Sequence, residues 1–382
     1  MLVLNPFTHD SRVEKEAVTL AAAGYRVTVV AAGGAGLAFD EERDGYRIRR
    51  VPRGPARLPG LRLVQYRRRL REALRQTEPM ILHSHDADAL GPAAVVAHEL
   101  GIPFVHDAHE LWTDQVNRGR SPLYFALFRA YYRMLEARLL PQAAGVVTVS
   151  APIARELLRR YRLRVPVELV PNYPEVKAAP RPRPLRDLFP DLPLPTGMPI
   201  LLYLGGIQAG RGIEQLLEAL RAVPQAAAVF LGGGPPLPAV VDRARALGIY
   251  ERLRFLPPVP STQVVDFAAS AHLGVSLALP VTLNNRYSLP NKLFQYMAAG
   301  LPVVASDFEQ IREIVVGSRV GLVVDPSDPS AIATAIRHLL DHPAEARAMG
   351  KRGQRAIAER YRWAASAATL LALYRRISPA DG

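Results

Sequence analysis

The sequence has no cysteine, which excludes disulfides and thiolate-bound metals. It has no apolar run of about 18 residues or more, so no membrane-spanning helix is expected. Its first residues lack the basic-then-apolar pattern of a secretion signal, and the expected location is the cytoplasm. Lysine is scarce: Lys15, Lys177, Lys292 and Lys351 are the only four, and the rest of the 48 basic residues are arginine. A net charge of +13 suits phosphate-bearing substrates, polyanions or an anionic lipid surface. The abundance of Arg, Ala, Leu and Pro fits a compositional bias equally well, so charge alone assigns no function. No zinc-finger, helix-turn-helix or RNP signature is present, and nucleic acid is not an expected partner.

What is present describes a folded chain. Apolar residues make up 49% of the 382, enough for two cores of ordinary size. Strand-like and helix-like stretches alternate through residues 1–172. The helix-like segment 10–23 presents Val13, Ala17 and Leu20 on one face. The strand candidates are residues 1–4, 25–32, 46–51, 80–86, 103–110, 145–150 and 167–172. Such alternation predicts a doubly wound parallel sheet, with its functional loops at the carboxyl ends of the strands. Residues 173–198 are dense in proline and lack helical periodicity, which reads as a linker. A second alternating region covers 199–360, and 361–382 ends the chain in an amphipathic helix.

The loop after the first strand, residues 5–12, contains no glycine. The dinucleotide fingerprint is therefore missing where a nicotinamide enzyme needs it. Asp10 or Ser11 there can cap the helix that follows. Two histidine clusters end later strands: His83 and His85 with Asp86, then His106, Asp107, His109 and Glu110. Imidazole and carboxylate suit zinc or iron. Strand alternation separates His106 from Asp107, however, and no later triplet completes a shell, so no metal site is assigned. Residues 53–76 carry eight arginines among Leu and Tyr, and residues 118–140 are rich in aromatics. Basic amphipathic helices of this kind either lie on an anionic membrane or pack with a solvated charged face. Peripheral contact at the inner membrane face is left open on that ground.

Beyond the proline-rich stretch, Gly205-Gly206 end a strand, and Arg211-Gly212 precede a helix with Ile213, Leu216, Leu217 and Leu220 on one side. Glycines let backbone approach a ligand closely, and a guanidinium binds phosphate bidentately. Gly233 belongs to a second glycine loop, which is either a ligand-facing turn or only a tight one. The densest pattern is residues 287–307, YSLPNKLFQYMAAGLPVVASD. Ser288 is the expected N-cap, Pro290 falls in the first turn, and Gly300 stops the helix. Lys292 stands near the positive end of that helix, a placement that suits an arriving anion.

Residues 199–220 and 287–307 together resemble the donor-site signature of retaining glycosyltransferases of family 4. The resemblance extends over nearly the whole chain and is weaker in its first third. It implies an α/β GT-B fold, two Rossmann-like doubly wound domains with a cleft between them, the last helix crossing back to the N-terminal one. It also implies transfer of a sugar from a nucleotide diphosphate-sugar to an acceptor with retention of configuration, and no metal. By the same resemblance the departing phosphate takes the acceptor's proton. The expected donor-side residues are Gly205, Gly206, Arg211, Gly233, Ser288, Leu289, Pro290, Asn291, Lys292 and Gln295. His109 takes the place of the family histidine that approaches the donor sugar, and with Arg211 and Lys292 forms the expected catalytic set. Asp10, Arg12, His85, Asp86 and Glu110 are expected on the acceptor side; the run Asp10 to Val13 with Glu16 resembles one found in a subgroup of the family. Two family glutamates, eight positions apart, are replaced by Tyr287 and Gln295. Those replacements keep two other readings in play, a sugar-nucleotide epimerase of the same fold and a binder without activity.

Overall fold

The computed structural model describes residues 1–8, 10–54, 59–115, 121–175, 179–188, 194–195 and 197–378. The chain forms two compact units, Met1–Asn172 with Ser366–Gly382, and Tyr173–Ala365.

In the first unit, β1 (Thr28–Ala32), β3 (Tyr46–Val51) and β2 (Asp40–Arg43) pair in that order. β4 (Leu82–His85), β5 (Phe104–Ala108), β6 (Gly145–Thr148) and β7 (Val167–Leu169) form a parallel ladder. Leu2 joins the two groups by parallel bridges to Val30 and Ser84, so the strand expected at residues 1–4 contracts to a single bridging residue. β2 was not expected. Its sequence, DEER, has no apolar face, and it pairs antiparallel with β3 as a solvated edge. The helices are α1 (Ser11–Ala22), α2 (Pro59–Arg75), α3 (Asp86–Leu100), α4 (Pro122–Leu139) and α5 (Ala151–Tyr161). β5 is buried at all five positions, so His106 and Asp107 must find polar partners inside the unit.

The second unit has a six-stranded parallel sheet. Its order is β10 (Leu253–Leu256), β9 (Ala227–Leu231), β8 (Ile200–Leu204), β11 (Leu273–Ser276), β12 (Val303–Ser306), β13 (Gly321–Val324). Alternation along β8 divides the core into two layers. Ile200, Leu202 and Leu204 pack with Phe294 and Met297, whereas Leu201 and Tyr203 pack with Leu216, Leu220 and Phe230. The helices are α6 (Ile213–Arg221), α7 (Leu237–Ala246), α8 (Val264–Ala268), α9 (Leu283–Tyr287), α10 (Asn291–Ala299), α11 (Glu309–Gly317), α12 (Pro329–Asp341) and α13 (Pro343–Glu359). The final helix, α14 (Trp363–Ile377), has its residues from Ser366 onward in the first unit.

The described residues of the proline-rich stretch behave as part of the second unit. Leu185 and Leu194 are buried in its core, and Leu185 N–H donates to Ser270 Oγ (3.1 Å). Tyr173 meets Phe294 and Tyr361 edge-on. Among the described residues no helix is long and apolar enough to cross a membrane.

Candidate functional site

In the second unit the two glycine loops are laced together, backbone on backbone. Gly205 N–H donates to Leu231 O (3.0 Å) and Ile207 N–H to Gly233 O (2.9 Å). A Cβ at Gly232, whose φ is +148°, would lie 2.2 Å from Gly205 O, and one at Gly234 would lie 2.0 Å from Ile207 O. Neither position admits a side chain. The turn at Gly210–Gly212 is tied down from across the sheet: Asn285 Nδ2 donates to Gly210 O (3.2 Å) and to Leu279 O (3.1 Å). That holds Arg211 at the mouth of the loop.

α10 is fixed by one residue. Tyr296 accepts from Leu204 N–H (2.8 Å) and donates to Val275 O (3.1 Å), bonding to β8 and β11 at once. Its ring occupies the space that a Cβ on Gly274 would need, 2.3 Å away. With the helix so placed, Lys292 Nζ lies 3.8 Å from the centroid of the Tyr203 ring and about as far from a Cβ built on Gly205. The Tyr203 hydroxyl donates to Gly206 O (2.9 Å). Burial, and then the charge of Arg211, pull the Lys292 ammonium well below its usual pKa. Among the described residues no carboxylate pairs with Lys292 or Arg211. Gln295 lines a cavity of about 340 Å³ with Gly205, Gly232, Gly233, Pro258 and Val259.

The start of α10 differs from expectation. Ser288 follows α9, and its hydroxyl donates to Asn285 O (3.1 Å) instead of capping α10. Proline disfavours helical backbone in the residue before it; Leu289 lies outside both helices, and Pro290 (φ −74°, ψ 128°) takes the cap position. The first N–H groups of any helix lack intrahelical carbonyls; of these, that of Leu293 reaches Pro290 O (3.1 Å). Asn291 is exposed at the helix start.

The first unit gathers most of its expected residues into one charged cluster. Arg12 is turned inward, not toward an acceptor. Its Nε and Nη2 each donate to Asp107 at 2.8 Å, Nη1 donates to Val170 O, and Nε lies 3.3 Å from Glu16. Asp10 caps α1 by accepting from Val13 N–H (3.2 Å), and Asn5 Nδ2 donates to its other oxygen (2.8 Å). His85 is buried, its ring stacked on that of His83, and His83 Nδ1 lies 2.9 Å from the Tyr374 hydroxyl. Glu110 accepts from Gln115 Nε2 (2.5 Å).

His109 stands between two carboxylates. Its Nε2 is 3.1 Å from Asp107 Oδ2 and its Nδ1 is 3.3 Å from Asp86 Oδ2. Burial works against an imidazolium here, but Asp86 and Asp107 outweigh it and raise the His109 pKa well above the usual range. For Asp107, burial is outweighed by Arg12 and His109, and its pKa falls well below the usual value. Glu16 is fully buried, and burial with the charge of Asp107 raises its pKa strongly. Glu16, His83, His85 and Asp107 bring ligand atoms within 4.8 Å of one another. The guanidinium of Arg12 already sits against both carboxylates, in the place a cation would take. The sequence joins Glu16 to the run at Asp10–Val13, and its contact with Arg12 is local, four residues apart on α1. Sequence reasoning missed Tyr374, whose partner His83 comes from a distant element.

Comparison with known proteins agrees with this architecture. Residues 12–173 match the family described as Glycosyltransferase Family 4, and residues 198–342 match Glycosyl transferases group 1. A D-inositol 3-phosphate glycosyltransferase of Kineococcus radiotolerans is 28% identical over 88% of this chain and 82% of its own. The sucrose-phosphate synthase of Thermosynechococcus elongatus superposes with a TM-score of 0.78 at 22% identity, covering 98% of this chain and 97% of the other. Anabaena HepE, solved with UDP-glucose, gives 0.74 at 17% identity and 98% of both chains. The chain belongs to the retaining glycosyltransferases of family 4 and has their GT-B fold.

Proposed function

We propose that this glycosyltransferase holds the diphosphate of its nucleotide-sugar donor with Arg211, Lys292 and the amide groups at the start of α10. One observation carries the reading: Arg211 and Lys292, neither paired with a carboxylate among the described residues, stand together beside a glycine loop, and burial first, then repulsion from Arg211, depresses the Lys292 pKa. An anion resolves that repulsion, and the same charges stabilise the diphosphate as it leaves. The cavity beside Gly233 and Val259 receives the nucleobase, and Gln295 faces the ribose. HepE was solved with UDP-glucose, so UDP is the first nucleotide to try. With two protein cations on the diphosphate, no metal is needed. Calorimetric titration of UDP and GDP, with and without EDTA, tests the site. Failure of both nucleotides to bind would overturn it.

A second observation bears on the acceptor. α2 and α4 both pack on α3, and Arg67 Cζ lies 5.4 Å from the centroid of the Tyr131 ring, joining them. Their outer faces expose Leu61, Val64, Leu123, Tyr124, Leu127 and Met134. Six arginines lie along α2, and Arg129, Arg133 and Arg138 along α4. Apolar side chains among arginines suit an anionic bilayer surface and a lipid-linked acceptor. A second copy would bring like charges together. Sedimentation with phosphatidylcholine vesicles, with and without about a third phosphatidylglycerol, distinguishes the cases. Binding to the anionic vesicles, lost in Leu123→Glu and Leu127→Glu, is expected. No binding to either, or a dimer dispersed by these substitutions, would overturn the reading.

A further inference from the structure

The family signature places His109 near the reacting sugar without saying what state its imidazole is in. The packing around it restricts that state. Asp107 lies near the end of β5 and His109 just beyond it, close enough for His109 Nε2 to come within 3.1 Å of Asp107 Oδ2. Arg12 fixes the Asp107 carboxylate with two 2.8 Å bonds from α1. Asp86 arrives from the end of β4 with φ at +62°, a conformation that costs a residue with a Cβ and persists only where surroundings enforce it. In that conformation one oxygen accepts from His109 N–H (3.3 Å), and the other lies 3.3 Å from His109 Nδ1.

We propose that Asp86 and Asp107 are positioning residues that hold His109 as a fixed imidazolium, so that His109 supplies charge and shape but carries no proton in the reaction. This rests on the reading that transfer takes place beside His109. The other titratable groups in the cluster do not relieve the constraint. His85 Nδ1 is 3.2 Å from His109 Nε2, and burial lowers the His85 pKa; it lowers that of His83 as well, and that of His106 to about 4. Burial and the charge of Asp107 raise the Glu16 pKa. Asp88, on α3, is pushed up to about 7 by burial and by Asp86. Removing the His109 proton would leave Asp86 and Asp107 facing one another with Arg12 as their one remaining cation. The acceptor's proton therefore goes elsewhere. As the acceptor oxygen bonds to the anomeric carbon and the bond to the diphosphate breaks, that proton passes to the departing phosphate oxygen, and no further reactant is required.

The charge state is read directly, without substrate. In protein labelled with 15N-histidine, the His109 resonances are those lost in His109→Gln. Both nitrogens are expected to show protonated shifts well above the pH at which an ordinary histidine loses its proton. In Asp86→Asn, His109 is expected to lose its proton at lower pH than in the parent, at a proton concentration at least about tenfold higher. Asp107→Asn is expected to do the same, and Asp86→Asn serves should loss of the Arg12 partner prevent folding. The pH profile of transfer should gain a falling limb in Asp86→Asn that the parent lacks. A parent His109 that titrates near pH 6.5, or one equally charged in parent and variants, would overturn the proposal. Failure of the donor site would abolish transfer and leave the NMR result standing.

Discussion

Lys292 Nζ sits over the face of Tyr203, 3.8 Å from the ring centroid. The ring belongs to β8 and the ammonium to α10, so the contact links the glycine loop to the helix that follows the Ser288–Pro290 segment. A cation over an aromatic face gains on the order of 1 kcal/mol, enough to orient the ammonium but not to satisfy it. Removing a charge-assisted contact costs about 1.5–3 kcal/mol. Arg211→Ala and Lys292→Ala are each expected to weaken nucleoside diphosphate binding at least about tenfold. Isothermal titration checks this; unchanged affinity in both would remove the diphosphate from this site.

The position of Gln295 makes a sharper test. A carboxylate accepts both bonds of a ribose diol, whereas an amide offers one acceptor and a donor. Gln295→Glu is expected to tighten ribonucleotide binding by about 1 kcal/mol and to sharpen discrimination against the 2′-deoxy analogue. Equal dissociation constants for all four combinations of protein and nucleotide would take the ribose away from this residue.

Gly232 tests the loop itself. An added Cβ would meet Gly205 O at 2.2 Å, and the listener to that clash is backbone, which has no rotamer to escape into. Gly232→Ala is expected to cost several kcal/mol and to abolish nucleotide binding, read as a fall in Tm by circular dichroism. Gly233→Ala, with open space around its Cβ, serves as the tolerant control. Equal Tm values in the two variants would refute the argument from close approach.

Glu136 predicts a pH dependence of stability. It accepts from the Tyr161 hydroxyl (2.7 Å), and burial pushes its pKa from 4.5 up to about 7. A raised carboxyl favours the folded state while protonated. That contribution is complete below pH 4.5 and is lost as pH rises through about 7. At about 1.4 kcal/mol per pH unit of difference, the loss at pH 8 is of the order of 3 kcal/mol. Glu136→Gln keeps an acceptor for Tyr161 and cannot ionise. Its Tm is expected to exceed the parent's at pH 8 and to match it near pH 5, and a constant difference across that range would count against the assignment.

Local chemistry made much of this molecule readable in advance. Glycine placement located both loops of the second unit, and β3 was bounded correctly at residues 46–51 because its alternation is clean. Ser288 misled because a cap preference is weaker than the backbone restriction that Pro290 places on Leu289. Arg12 misled for a different reason. Its partner Asp107 lies 95 residues away, and no periodicity announces a pairing at that distance. The same holds for Tyr374, 291 residues from His83. What sequence conveys well is the period of an element and the chemistry of a loop. It conveys poorly which buried charges meet, since that is decided by the crossing of elements.

The missing side chain at Gly274 has a practical meaning. Because β11 lacks a side chain there, Tyr296 can bond to two strands at once, and the helix carrying Lys292 and Gln295 is bolted to the sheet from beneath. Substitutions at Gln295 or Asn291, which are not buried, are therefore expected to leave the mount undisturbed. A single methyl at Gly274 would do the reverse. It would unseat the tyrosine, leave Leu204 N–H and Val275 O without their partner, and shift Asn291, Lys292 and Gln295 together.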